Sequence, residues 1–134
     1  MKGVQQKIVD DLKVLDDWDL RYQYIIEYPN KLISNPQVRD KESLVSGCQS
    51  QVWISSNLKE GKLNYSSDGD AEIPRGIASM LSDIFSGEKP QEVLKIDLFF
   101  LKETDIVNYL SPNRRKGVES MIIHMKKQAI KFLS

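Results

Sequence analysis

Leu44-Val45-Ser46-Gly47-Cys48-Gln49-Ser50-Gln51-Val52-Trp53-Ile54-Ser55-Ser56 is the stretch on which the fold turns. It reads as strand, tight bend, strand. Val52, Trp53 and Ile54 are β-branched or aromatic and favour extended backbone. Gly47 admits backbone angles closed to other residues, so the bend can be sharp. Gln49, Ser50 and Gln51 are polar, which places the bend near the surface. Asn57 to Gly61 is turn-like, and Lys62 to Ser66 returns as a strand with Leu63 and Tyr65 on one face. The expected product is a hairpin with Cys48 beside its first strand.

Helical signals flank this hairpin. Val4, Ile8, Leu12 and Leu15 recur at helical spacing, and Asp16, Asp17 and Asp19 break the stripe. Leu20 to Tyr28 reads as a second short helix that Pro29-Asn30 stops, and Pro29 to Ser43 as a loop. After the hairpin, Asp68-Gly69-Asp70 ends the strand, and Asp70 is placed to cap a helix running to about Phe85. Ile73, Ile77, Met80, Leu81, Ile84 and Phe85 form its apolar stripe. Pro74 falls in its first turn, and Gly87 suits its C-terminal end. A short helix is expected at Pro90, and two short helical pieces between Asp97 and Leu110. Ser111-Pro112 is an N-cap followed by proline at the first helical position. The last helix then runs to about Phe132, with Val118, Met121, Ile122, Met125 and Ala129 facing inward. Strands in one run, flanked by helices, predict an α+β fold: a small antiparallel sheet of about three strands packed against several helices.

The 134 residues suit one domain, here residues 1–134. Hydrophobic residues make up 40% and charged residues 28%, which fits a globular chain able to bury a core. Nineteen Lys and Arg balance nineteen Asp and Glu. A neutral chain gives no reason to expect nucleic-acid binding, which depends on excess positive charge. No apolar run is long enough to span a membrane, and the N-terminal stretch lacks the short apolar segment of a secretory signal. A cytoplasmic location is the expectation. One cysteine and one histidine exclude an internal disulfide and a dense Cys/His metal site within one chain.

Chemistry therefore falls to one thiol and its surroundings. A lone cysteine is commonly buried and inert. A thiol on a polar, glycine-containing bend can instead be offered to a partner, and its thiolate can attack the outer sulfur of a persulfide. A hydrolytic nucleophile would need a base. His124 is the single candidate, but its helical position lies off the apolar stripe and predicts a solvent-facing side chain. Arg114, four residues before Val118, shares the side of that stripe. It is expected either to pair with a carboxylate or to sit near the Cys48 loop, where it would favour an anionic sulfur. Asp68 and Asp70 are explained by a turn and a helix cap.

Taken together, the residues resemble the SufE family, including its relative CsdE. Gly47-Cys48-Gln49-Ser50-Gln51-Val52-Trp53-Ile54 matches the family's cysteine motif. Asp16-Asp17-Trp18, Arg21-Tyr22 and Tyr24-Ile25-Ile26-Glu27 are similar to its N-terminal helices. Asp68-Gly69-Asp70-Ala71, Arg75-Gly76 and Ser86-Gly87 are similar to its central helix. Leu110-Ser111-Pro112-Asn113-Arg114-Arg115, with Gly117 and Met121, is similar to its last helix. The sequence departs from the family at Pro74, at Lys102 to Asp105 and at Tyr109.

The resemblance implies a SufE/NifU-like fold and a sulfur acceptor. Such a protein takes persulfide sulfur from a cysteine desulfurase of SufS/CsdA type, stimulates it, and delivers the sulfur to a SufBCD-like iron–sulfur scaffold. By this likeness Cys48 is the acceptor, and Gln49, Ser50, Gln51, Asp70 and Arg114 are binding residues. In the resting state the cysteine is tucked toward an apolar pocket. No cofactor or metal is expected on this chain: the persulfide on Cys48 is transient, and pyridoxal phosphate belongs to the desulfurase. The chain is not a stand-alone enzyme and is expected as a monomer or weak homodimer. The alternative is an adaptor that docks without carrying sulfur. A U-type cluster scaffold is disfavoured, because clusters need several thiolates.

Overall fold

The structure, a computed structural model of the chain, describes residues 2–28 and 36–133. Two helices lead, α1 (Lys2–Lys13) and α2 (Trp18–Glu27). Ile8, Val9 and Leu12 bury the inner stripe of α1. The acidic break between them is the cap of the second helix: the Asp17 carboxylate accepts the Leu20 N–H at 2.8 Å. The loop expected over Pro29 to Ser43 lies partly outside the described residues. Its described part holds a 3-10 turn at Pro36–Val38.

The hairpin is longer than the sequence suggested. Strands β1 (Val52–Lys59) and β2 (Lys62–Gly69) pair in register from Val52↔Gly69 to Lys59↔Lys62. Asn57 and Leu58, expected in the turn, are in β1. The turn proper is Glu60-Gly61, both at positive φ (54° and 79°), the two-residue connection whose twist suits a hairpin. The third strand is reduced to a bridge. Leu44 pairs with Trp53, and Val45 N–H donates to Val52 O while Ile54 N–H donates to Ser43 O, both at 2.8 Å. The outer edge of β2 meets Glu88 at Leu63.

Helix α3 (Glu72–Phe85) packs on β2. Ile77, Met80, Leu81, Ile84 and Phe85 are fully buried, as the apolar stripe predicts. It also crosses α2 so closely that a Cβ on Gly76 would overlap the Ile25 carbonyl oxygen, so only glycine fits there. The short α4 (Pro90–Val93) and α5 (Phe99–Glu103), then a 3-10 turn at Ile106–Tyr109, lead to α6 (Pro112–Lys131). Ser111 caps that helix through the Arg114 N–H, and proline stands at its first position. Helix α6 packs against α3, α4 and β1. Val118, Met121, Met125 and Ala129 are buried, and Tyr65 O–H donates to Met125 O at 2.7 Å to tie β2 to it.

Asp70 departs from the expectation. The helix starts at Glu72 behind Ala71, which makes no side-chain cap. Because β2 runs through Gly69, Asp70 still belongs to the hairpin. Its carboxylate accepts the Gln51 N–H and its own N–H donates to Gln51 O, each at 3.0 Å.

Asp68 is 1% exposed and its Oδ2 is 2.6 Å from Arg39 Nε. The Arg39 guanidinium also lies 4.3 Å from the centroid of the Trp53 ring. The arginine thus covers the second face of the hairpin and neutralises a buried carboxylate whose Oδ1 has no other partner among the described residues. Removing it strands that charge. Arg39→Ala is expected to destabilise the fold by about 3 kcal/mol, read as a lower midpoint in urea unfolding. Lys41→Ala, an exposed neighbour, should leave the midpoint in place.

Candidate functional site: the Cys48 cavity

The bend carrying Cys48 is pinned at both ends. Val45 bonds to Val52 on one side, and Gln51 exchanges two hydrogen bonds with Asp70 on the other. Between these clips Gly47 sits at φ 99°. This angle favours glycine, and a Cβ there would also meet Ser120 Oγ of α6 at 2.5 Å and force that hydroxyl to turn away. The turn delivers the half-buried Cys48 to α6, where its thiol donates to Gly117 O at 3.5 Å. A Cβ built on Gly117 would stand 3.5 Å from Sγ, an ordinary van der Waals contact, so the sulfur lies against the helix surface at this point.

Cys48 lines a cavity of about 170 Å³ between α3 and α6. Ile73, Pro74 and Ile77 form one wall, and Val118 and Met121 another. Pro74, a departure from the family pattern, is therefore part of the apolar lining. Gln49, Ser50, Asn113 and Arg114 supply the polar rim. Of the residues singled out from sequence, the cavity brings together Cys48, Gln49, Ser50 and Arg114. Gln51 and Asp70 do not line it; they close the base of the bend. Asn113, Gly117 and the α3 wall were missed. A glycine within the inward stripe of α6 was the available signal, because it marks a close approach.

Burial raises the Cys48 pKa above the ordinary thiol value, and no charge offsets that rise. Arg114 stands at the cavity but is exposed to water, which screens its field. The thiol is thus held neutral and sheltered, a state that resists oxidation.

His124 also departs from the expectation. It is not solvent-facing: its Nε2 lies 2.9 Å from Ile54 O, a carbonyl that also accepts from Gln128 Nε2 at 2.9 Å. Its flank of α6 is off the apolar stripe, as expected, but β1 covers that flank. Burial, with Lys131 and Lys127 nearby, lowers its pKa despite the bond to Ile54. It stands two helical turns, roughly 10 Å, beyond Gly117 and does not line the Cys48 cavity. Among the described residues no group of three or more His, Cys, Asp or Glu could hold a metal ion. No helix among them is long and apolar enough to cross a membrane.

A single half-buried thiol on a pinned bend, in a two-stranded α+β frame, defines the class: a small α+β protein with one sheltered cysteine at an apolar cavity. The SufE family model, described as an Fe-S metabolism associated domain, matches residues 6–129. An uncharacterized SufE-like protein of Rhizobium meliloti (strain 1021) is 36% identical over 129 residues, covering 92% of each chain. A solution structure of a hypothetical protein from Thermus thermophilus shares the fold with a TM-score of 0.76 at 22% identity, covering 96% of this chain and 94% of that one. This chain belongs to the SufE family and is thereby associated with iron–sulfur metabolism.

The rate of Cys48 alkylation by iodoacetamide should rise with pH through a midpoint above that of the same cysteine in the urea-unfolded chain, because burial disfavours the reactive thiolate. Equal midpoints would show that the cavity does not shelter the sulfur. Intact-mass kinetics across a pH series measure both.

Proposed function

We propose that the protein is a sulfur acceptor: it takes persulfide sulfur from a cysteine desulfurase onto Cys48 and passes it toward iron–sulfur cluster assembly. The observation that carries this reading is the placement of the chain's one thiol, half-buried at a cavity with a cationic rim, on a bend anchored at its two ends. The step is thiol–persulfide exchange. Cys48 gives up its proton, and the thiolate attacks the outer sulfur of the donor's persulfide. A bond forms between Cys48 Sγ and that sulfur as the donor's S–S bond breaks. The donor leaves as a thiolate and takes up a proton. One S–S bond replaces another, so no external oxidant or reductant is needed.

The chain's residues divide the work. Gly47 lets the bend approach α6, and Ile73, Ile77, Val118 and Met121 keep water from the carried sulfur. Arg114 is placed at the rim, where an anionic sulfur leaving or entering the cavity would meet its charge. The donor is a desulfurase of SufS/CsdA type and supplies its own pyridoxal phosphate; the recipient is a SufBCD-like scaffold.

Incubation with a cysteine desulfurase and free cysteine is expected to add the mass of one sulfur to the chain, and Cys48→Ser should abolish the gain. A protein that raised desulfurase turnover with no sulfur on Cys48 would be an adaptor, and the acceptor reading would fail. His124→Ala should load as the native chain does. Arg114→Ala should leave the resting iodoacetamide rate unchanged and slow persulfide loading by about tenfold, the scale of one charge-assisted contact.

A further inference from the structure

A second concavity runs beside the Cys48 bend. It has a volume of about 510 Å³ and lies between the segment 40–46, the outer side of β1 and the C-terminal half of α6. Ser46, two residues before Cys48, lines one end; Lys131 and Phe132 line the groove from the last turn of α6. Three features indicate what it takes.

The first is an open strand edge. The bonds of Val45 to Val52 and of Ser43 to Ile54 show that the even-numbered residues of β1 turn their backbone groups outward. His124 and Gln128 cover the Ile54 carbonyl. Ser56 and Leu58 follow in the same phase, and no described strand lies along them. The second is an unused acceptor. Gln128 lines the groove, and its Oε1 is buried with no partner among the described residues. A turn of the Gln128 side chain would offer this oxygen to the backbone N–H groups of a strand laid here. The third is charge. Lys116, Ser120, His124, Lys127 and Lys131 form one ridge of α6 at spacings of three and four residues. Helix α6 carries six cations (Arg114, Arg115, Lys116, Lys126, Lys127, Lys131) against Glu119 alone, in a chain of zero net charge. Lys127 and Lys131 line the groove, are exposed, and have no carboxylate partner among the described residues. Asp40, which accepts the Ser43 N–H, and Glu42 stand across the groove on the segment 40–46, and neither forms an ion pair with these lysines among the described residues.

We infer that this groove docks an extended acidic segment of the sulfur-donating protein, added as a short strand on β1 at Ser56 and Leu58 with its carboxylates on Lys127 and Lys131. The inference rests on the reading of Cys48 as a sulfur acceptor and names how the donor is recognised. Its location gives it a purpose: a segment seated beside Ser43–Ser46 places the rest of the donor at the bend that bears the thiol. The lysines also repel a second copy of this chain from the same edge, a common protection of open strands.

The experiment uses the full chain, a cysteine desulfurase with cysteine as protein donor, and cysteine persulfide as a small donor. Lys127→Glu with Lys131→Glu is expected to raise the half-saturating desulfurase concentration about tenfold while cysteine persulfide loads Cys48 at the native rate. Lys127→Arg with Lys131→Arg should stay near native. Added salt should weaken the native chain toward the charge-reversed one. An unchanged half-saturating concentration in the folded charge-reversed protein overturns the groove, and so does an equal loss with both donors. A native dimer that the reversal dissociates would assign the groove to a second copy and also overturn it. If native Cys48 gains no sulfur from either donor, the acceptor reading itself fails.

Discussion

The pinning of residues 46–50 at both ends is the constraint on which the rest depends. The Val45–Val52 bond and the Gln51–Asp70 pair hold the bend's ends to the hairpin, so a few residues must carry the chain out to α6 and back. That short span leaves little conformational freedom, and Gly47 supplies the one left-handed angle it needs. The sulfur can then sit in one place, against Gly117, without a dedicated side-chain ligand. Everything that fixes the hairpin on α3 and α6 therefore also fixes the thiol.

The frame is held by two different kinds of contact. On the inner face, Val52, Ile54, Leu63 and Tyr65 join the stripes of α3 and α6 in a continuous apolar core, and burial of this kind is the main favourable term in folding. On the outer face, one cation covers Trp53 and neutralises Asp68. A two-stranded ribbon is marginal alone. Helices behind it, an arginine before it and short segments along both edges make it rigid enough to carry a positioned group.

Shelter and reactivity oppose each other in this arrangement. The half-buried cavity position favours the protonated thiol, which protects it but slows the exchange it is proposed to perform. The rim residues Gln49, Ser50, Asn113 and Arg114 mark where the apolar lining ends and a partner's surface would begin. The bend is held at its ends by the hairpin, and at its tip only by the thiol's weak bond to Gly117.

The sequence by itself determined the helices and the cysteine's address. The stripes of α1, α3 and α6, the Ser111-Pro112 start, and a strand following the Gly47-Cys48 bend all follow from local periodicity and backbone preference, which act within a few residues. Only the tertiary structure decided the rest, because it depends on register and on which surfaces meet. Asp70 looked like a helix cap until β2 proved to run through Gly69 and gave its carboxylate to Gln51. His124 looked exposed until β1 covered its flank of α6. Arg39 finds Asp68 29 positions away, and Gly117 finds Cys48 69 positions away. No local pattern records such pairs; they exist only once the core has brought distant segments within a few ångströms.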